Sequence, residues 1–213
     1  MCRIIQTKSK KCTLALKEII TELGDDKIKN LLSSFSCAYD EDIQKFLHGR
    51  AVEFEKLSKS RTYLIVDEDQ LENPEISFDE FTIYGYISLA VKVFTVPETT
   101  SNRHRQQLDG FSAKEHGKQI ANFPCYLIGQ LARNSNVSKE SLSGAELLNF
   151  AYKIIGEAVK LIGGRNILVE CRNNEKLINF YLENGFYKIS QVPDENQSMI
   201  QLIRRIELGG YVN

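Results

Sequence analysis

Two rhythms of apolar residues succeed one another along the chain. Over residues 11–58 they recur at helical intervals: LALKEIITEL, then IKNLLSSF, then the stripe Ile43, Phe46, Leu47, Phe54 and Leu57 behind a start signal at Asp40. This spacing predicts a helical segment. Strand signals follow. RTYLIVDED (61–69) is a short apolar run, and QLENPEIS (70–77) is a polar loop with a proline. FTIYGYISLAVKVFTV (81–96) alternates and then turns apolar, rich in β-branched and aromatic residues. The two strand runs predict a meander hairpin.

Residues 97–122, PETTSNRHRQQLDGFSAKEHGKQIAN, are polar with little periodicity. A connection that long inside a compact domain is usually functional or mobile, so it is expected to be a substrate-facing insertion. PCYLIGQLAR (124–133) then reads as a strand and SKESLSG (138–144) as a polar loop. In that loop Ser143, followed three places later by Glu146, forms a capping box, in which the hydroxyl and the carboxylate each satisfy an orphan amide at a helix start. The helix carries Leu147, Leu148, Ala151, Ile154, Ile155, Ala158 and Leu161 at helical spacing, and Gly163 and Gly164 end it. NILVEC (166–171) is a strand, and NNEKLINFYLEN (173–184) is a helix with Leu177, Phe180 and Tyr181 on one face and Gly185 as its left-handed cap. FYKIS (186–190) and SMIQLIRRI (198–206) are two more strands. The C-terminal half thus predicts a mixed α/β order in which a helix N-terminus opens beside the end of a strand.

Composition narrows the class without naming a ligand. Among 213 residues, 42% are hydrophobic and 26% charged, values of a globular chain long enough to bury a core. The net charge of −1 lacks the basic excess of a sequence-independent nucleic-acid binder, so any RNA contact would use a local patch. Cys2, Cys12, Cys37, Cys125 and Cys171 are odd in number and never in a Cys-x-x-Cys pair, which argues against a disulfide framework and against a zinc site. The start MCRIIQTKSKKC lacks the apolar stretch of a signal peptide. No run approaches the roughly 18 apolar residues of a membrane helix. The expectation is a cytoplasmic protein with no membrane partner and no metal.

The string ILVECRNNEKLINFYLENGF resembles the GNAT superfamily of acetyl-CoA-dependent N-acetyltransferases, through Asn174, Phe180, Tyr181, Gly185 and Phe186. Upstream, LIGQLAR sits where that family has its pantetheine-binding strand, and SGAELL where its loop enters a long helix. The resemblance implies an α/β fold with a GNAT-like mixed central β-sheet flanked by helices and a helical N-terminal extension. Residues 1–58 would be a helical segment packed on the same domain, and 59–213 the acetyltransferase core with its insertion at 97–122. It implies acetyl-CoA as cosubstrate, bound by Leu131, Ala132 and Arg133 along the strand, by Ser141, Ser143, Gly144 and Ala145 in the loop, and by Asn174. It makes Tyr181 the general acid for the departing thiolate. The loop departs from the family pattern. Glu140, Ser143 and Ala145 fall on its three key places, only the last in agreement, and two extra residues lie between Arg133 and the loop.

No general base stands out, since His48, His104 and His116 all lie outside these motifs. An α-amine near pKa 8 needs less help losing a proton than a lysine near 10.4. The broad expectation is acetyl transfer to a primary amine of a protein, peptide or small molecule. The element order also resembles the acetyltransferase toxins of toxin–antitoxin pairs, which act on the α-amine of aminoacyl-tRNA. On that alternative Arg103, His104, Arg105, Lys114 and Lys118 would contact RNA, and tRNA, an antitoxin or a second copy of the chain are candidate partners. A binding module that has lost catalysis is the third alternative.

Overall fold

The computed structural model describes residues 10–189 and 199–206. Cys2, most of the N-terminal start and the outer ends of the last two predicted strands lie outside the described residues. Strand β1 (Lys11–Ala15) precedes four helices, α1 (Leu16–Leu23), α2 (Asp25–Ser33), α3 (Glu41–Gly49) and α4 (Ala51–Lys56). Then come β2 (Arg61–Asp67), α5 (Glu68–Glu72), a 3-10 turn (Phe78–Glu80) and β3 (Gly85–Thr95). The insertion holds α6 (Asn102–Asp109) and the small strands β4 (Lys114–Glu115) and β5 (Lys118–Gln119). The remainder is β6 (Asn122–Arg133), α7 (Gly144–Ile162), β7 (Asn166–Arg172), α8 (Glu175–Glu183), β8 (Tyr187–Lys188) and β9 (Met199–Arg205). Seven strands form one mixed sheet in the order β1-β2-β3-β6-β7-β9-β8, and β4 and β5 pair separately.

The chain divides into two compact units. The first comprises residues up to Leu89 together with Gln130–Tyr152. Its core joins Leu16, Ile19, Ile28, Leu31 and Phe35 from the helices to Leu64, Val66, Tyr86 and Ala132 from the strands. Phe35 meets Tyr86 edge-on at 5.1 Å, and the Tyr86 hydroxyl donates to the Ile43 carbonyl at 2.6 Å, so the buried phenol keeps a partner. Residues 11–15 correct the expectation of helix. They pair antiparallel with β2, from Lys11↔Asp67 to Ala15↔Tyr63, because a strand there supplies ladder partners to β2 that a helix would leave unmet. The apolar stripe also breaks: α3 ends at Gly49, α4 begins at Ala51, and Leu57 stands 55% exposed beyond it. The polar loop after β2 contains α5. The predicted hairpin of β2 and β3 is present, in register from Arg61↔Leu89 to Ile65↔Gly85.

The second unit comprises Ala90–Gly129 and the residues from Lys153 onward. Phe94, Val96, Leu108, Phe123, Cys125, Leu168 and Ile203 form its core. Strands β6 and β7 pair in parallel from Cys125↔Asn166 to Ile128↔Val169, while β6 runs on to Arg133. Strand β7 pairs antiparallel with β9 along its whole length. Leu161, expected on the buried face of α7, is 84% exposed. In α8 the buried side chains are Ile178 and Tyr181, with Leu177 and Phe180 only half-buried.

The ends of β3 and β6 are tied by Asn134 N–H donating to the Tyr84 carbonyl and Val96 N–H donating to the Ala121 carbonyl. Between those ties β3 has 11 residues and β6 has 12.

Candidate active site

Strand β6 delivers the chain to a loop whose hydrogen bonds can be counted through. Asn134 is 3% exposed and has both ends of its amide engaged: Nδ2 donates to the Ile83 carbonyl at 2.7 Å, and Oδ1 accepts from Ser36 N–H at 3.1 Å and Asn136 N–H at 3.0 Å. Ser135 N–H donates to the Ser36 carbonyl at 2.8 Å, and its hydroxyl accepts from Ala38 N–H at 2.9 Å. Asn136 Nδ2 donates to the Ser34 carbonyl at 3.1 Å. The extra residues that follow Arg133 are thus a clamp on segment 34–38. The sequence offered the excess length but not its partner, which lies about a hundred residues earlier.

The loop beyond is anchored by Leu142, which is fully buried, and it opens α7 at Gly144. The capping box is present in full. Ser143 N–H donates to Glu146 Oε2 at 2.7 Å, and Glu146 N–H donates to Ser143 Oγ at 3.1 Å. Ser141 N–H is engaged as well, by the Ser138 carbonyl at 3.1 Å. Of the expected diphosphate amides, those of Gly144 and Ala145 remain. Both residues are exposed, and neither amide has an acceptor among the described residues. Two orphan amides at the start of a 19-residue helix sit at the positive end of its dipole.

Gly85, not singled out in the sequence, shapes this region. A Cβ on it would stand 2.8 Å from the Ala132 carbonyl oxygen and 3.0 Å from Leu142 Cδ2. Only a residue without a side chain lets β3 lie this close to the expected pantetheine strand and its loop. Ala132 is buried, with Leu131 and Arg133 half-buried on either side. Nearby in the same unit, the Tyr84 hydroxyl donates to Asp67 at 2.7 Å, and Lys11 pairs with the same carboxylate at 2.5 Å. Burial and that carboxylate push the Tyr84 phenol up to about 12.

In the second unit, Asn174 caps α8, its side-chain oxygen accepting from Leu177 N–H at 3.2 Å. That role is structural and leaves its amide NH2 for other partners. Tyr181 is 5% exposed, edge-on to Phe180 at 5.1 Å and to Phe186 at 5.3 Å. The ring is firmly positioned, as a proton donor at a fixed point requires and as a packed aromatic also would be. None of the histidines has the setting of a base. His48 Nε2 lies 2.9 Å from the Phe35 carbonyl, His104 stacks at a tilt on Tyr187, and His116 occupies a turn at φ 48°. Glu170 has both oxygens engaged, by Lys92 at 2.5 Å and Gln201 at 2.8 Å.

The insertion corrects a second expectation. Arg105 is 1% exposed, so it cannot meet RNA. Its guanidinium donates to the carbonyls of Thr100, Ile120, Pro97 and Glu98 at 2.6–3.1 Å, closing the two ends of the insertion on one side chain. Ser101 caps α6, and His116 with Gly117 (φ 79°) make the two-residue turn of the β4–β5 hairpin. Arg103, Lys114 and Lys118 are exposed, and His104 is half-buried.

Among the described residues no group of three His, Cys, Asp or Glu side chains is placed to hold a metal ion, and no helix is long and apolar enough to cross a membrane. No protein-family model matches the sequence, and no curated protein does. Solved structures do match. AtaT complexed with acetyl-methionyl-tRNAfMet is 20% identical, with a TM-score of 0.61 over 90% of this chain and 94% of that one. A Tyr-to-Phe variant of the toxin AtaT, bound to the C-terminus of the antitoxin AtaR and to acetyl-CoA, is 20% identical, with a TM-score of 0.59 over 92% of each chain. A Tyr-to-Phe variant of KacT is 19% identical, with a TM-score of 0.62 over 90% of this chain and 94% of that one. The fold is that of the GNAT acetyltransferases.

Proposed function

We propose that the chain is an acetyl-CoA-dependent N-acetyltransferase whose acceptor is the α-amine of an aminoacyl-tRNA. The observation that carries the cofactor half is the pair of orphan, exposed amides at Gly144 and Ala145, at the end of the loop that follows a strand whose last residues extend beyond its parallel ladder. Strand groups around Leu131 and Arg133 would pair with pantetheine as an added strand does, and the helix start would take the diphosphate. The acceptor is favoured over a generic protein or small-molecule amine because the neighbouring fold was solved with an acetylated aminoacyl-tRNA. The lack of an unengaged base among the candidates also suits an amine that is partly neutral near pH 8. An antitoxin partner belongs to the same reading.

In this chemistry the amine nitrogen bonds to the thioester carbonyl carbon, the C–S bond breaks, and the thiolate takes a proton from the Tyr181 hydroxyl while the amine releases one to solvent. Tyr181→Phe keeps the ring packed between Phe180 and Phe186 and removes only that proton. The expected result is a fall in turnover of roughly 100-fold with acetyl-CoA affinity and melting temperature unchanged. Full activity in the variant removes Tyr181 from the mechanism. The acceptor is tested by comparing an aminoacyl-tRNA with peptides that carry only an α-amine or only a lysine. A preference for the lysine peptide overturns the tRNA reading.

A further inference from the structure

The acetyl-CoA reading leaves one part of that molecule without a partner, its adenosine. The diphosphate loop is also poorer than its length suggests, because the amides of Glu140, Ser141 and Ser143 are engaged within the chain. Binding energy for the nucleotide has to come from elsewhere.

The clamp indicates where. Residues 134–136 lie between the end of the pantetheine strand at Arg133 and the diphosphate amides at Gly144, and they hold segment 34–38 by hydrogen bonds at Ser34, Ser36 and Ala38. The segment is fixed from its other side too, since Phe35 and Cys37 point into the core and Cys37 N–H donates to Gln44 Oε1 at 2.9 Å. The next residue, Tyr39, is 79% exposed, and Asp40 immediately caps α3 by accepting from Asp42 N–H at 3.0 Å. A large aromatic ring is therefore kept in water on a backbone pinned before and after it. Such a ring offers a planar apolar surface at little entropic cost. Its neighbour Ala38 is bound to Ser135 Oγ at 2.9 Å, in the stretch that leads from the cofactor strand to the diphosphate amides, and beyond its diphosphate acetyl-CoA carries a phosphorylated ribose and then the adenine ring.

We propose that Tyr39 is the stacking platform for the adenine of acetyl-CoA, held in place by the Asn134–Asn136 clamp. The inference rests on the acetyltransferase reading and names the part of the ligand that Tyr39 selects. It accounts for the extra residues after Arg133, for an exposed tyrosine on an ordered backbone, and for a loop that retains few free amides.

The test is calorimetric titration of the full chain and of Tyr39→Ala, Tyr39→Phe and Tyr39→Trp, each with acetyl-CoA and with S-acetylpantetheine, which lacks the nucleotide. Tyr39→Ala is expected to weaken acetyl-CoA by roughly 10-fold, with its melting temperature unchanged because the ring is exposed. Phe and Trp at this position should restore affinity, and S-acetylpantetheine should not distinguish the four proteins. If the wild type does not bind acetyl-CoA, the acetyltransferase reading and this one fall together. If the wild type binds and Tyr39→Ala binds as tightly, only the platform is overturned. A loss that Phe and Trp fail to restore overturns it as well.

Discussion

Residues 97–122 and residues 134–145 are both polar, poor in periodicity and rich in turn formers, yet the chain uses them in opposite ways. The first is closed on itself, with Arg105 at its centre spending four hydrogen bonds on main-chain carbonyls. The second is half closed: its Asn134 and Ser135 bond inward, and its last two amides face solvent without an acceptor among the described residues. Hydropathy cannot separate a segment that satisfies its own polar groups from one that leaves them for a ligand. A complete account of donors and acceptors can. By that account the insertion resembles a folded lobe, and the loop resembles a binding site.

The sharpest way to break this contrast is Arg105→Met. The substitution keeps an unbranched side chain but removes the buried charged donor, leaving the Pro97, Glu98, Thr100 and Ile120 carbonyls without it. A loss of about 3 kcal/mol or more is expected in urea unfolding, the scale for stripping a buried charged donor from its acceptors. Arg105→Lys should lose less, because one ammonium keeps the charge but cannot span all four carbonyls. A Met variant as stable as the wild type would mean that the insertion is not organised by this residue, and would return it to the open loop its composition suggests.

Gly85→Ala probes the other region with a smaller expected effect. Its methyl would meet the Ala132 carbonyl oxygen, which as backbone cannot rotate away, and Leu142 Cδ2, which can. Overpacking of this kind costs roughly 1–3 kcal/mol. Because Ala132 lies within the proposed pantetheine strand and Leu142 anchors the loop, acetyl-CoA affinity should fall together with the melting temperature. A folded variant with unchanged affinity would separate the strand from the cofactor.

The sequence conveyed the elements with strong periodicity and clear stops. The α7 helix between its capping box and Gly163, β7 with its long apolar run, and α8 from Asn174 to Gly185 all appear where the pattern put them. It failed where a residue's role depends on a distant partner. Residues 11–15 carry a helical pattern, and their strand identity comes from pairing with residues 63–67. Arg105 has the sequence setting of a surface cation, because nothing local marks its carbonyl acceptors. Asn134 and Gly85 carry no local signal for the same reason, since a clamp and a close approach are properties of two segments. The loop was the intermediate case: its capping box was legible, but which amides the box would consume became countable only with the geometry.

The capping box also supplies the finest test of the contrast. Glu146 holds Ser143 N–H through a carboxylate that stands one turn into the helix whose first amides are proposed to meet a diphosphate. In Glu146→Gln the side-chain carbonyl can still accept from Ser143 N–H, since glutamine serves in this motif as glutamate does, so stability should change by only a few tenths of a kcal/mol. What disappears is a negative charge beside the proposed position of another. If the helix start binds the diphosphate, acetyl-CoA affinity should rise by about two- to threefold. The gain should be largest at low ionic strength and should shrink as salt shortens the range of the repulsion. If the box is only a cap, titrations of the two proteins will coincide at every salt concentration, and the free amides of Gly144 and Ala145 will have to be read as solvated rather than reserved.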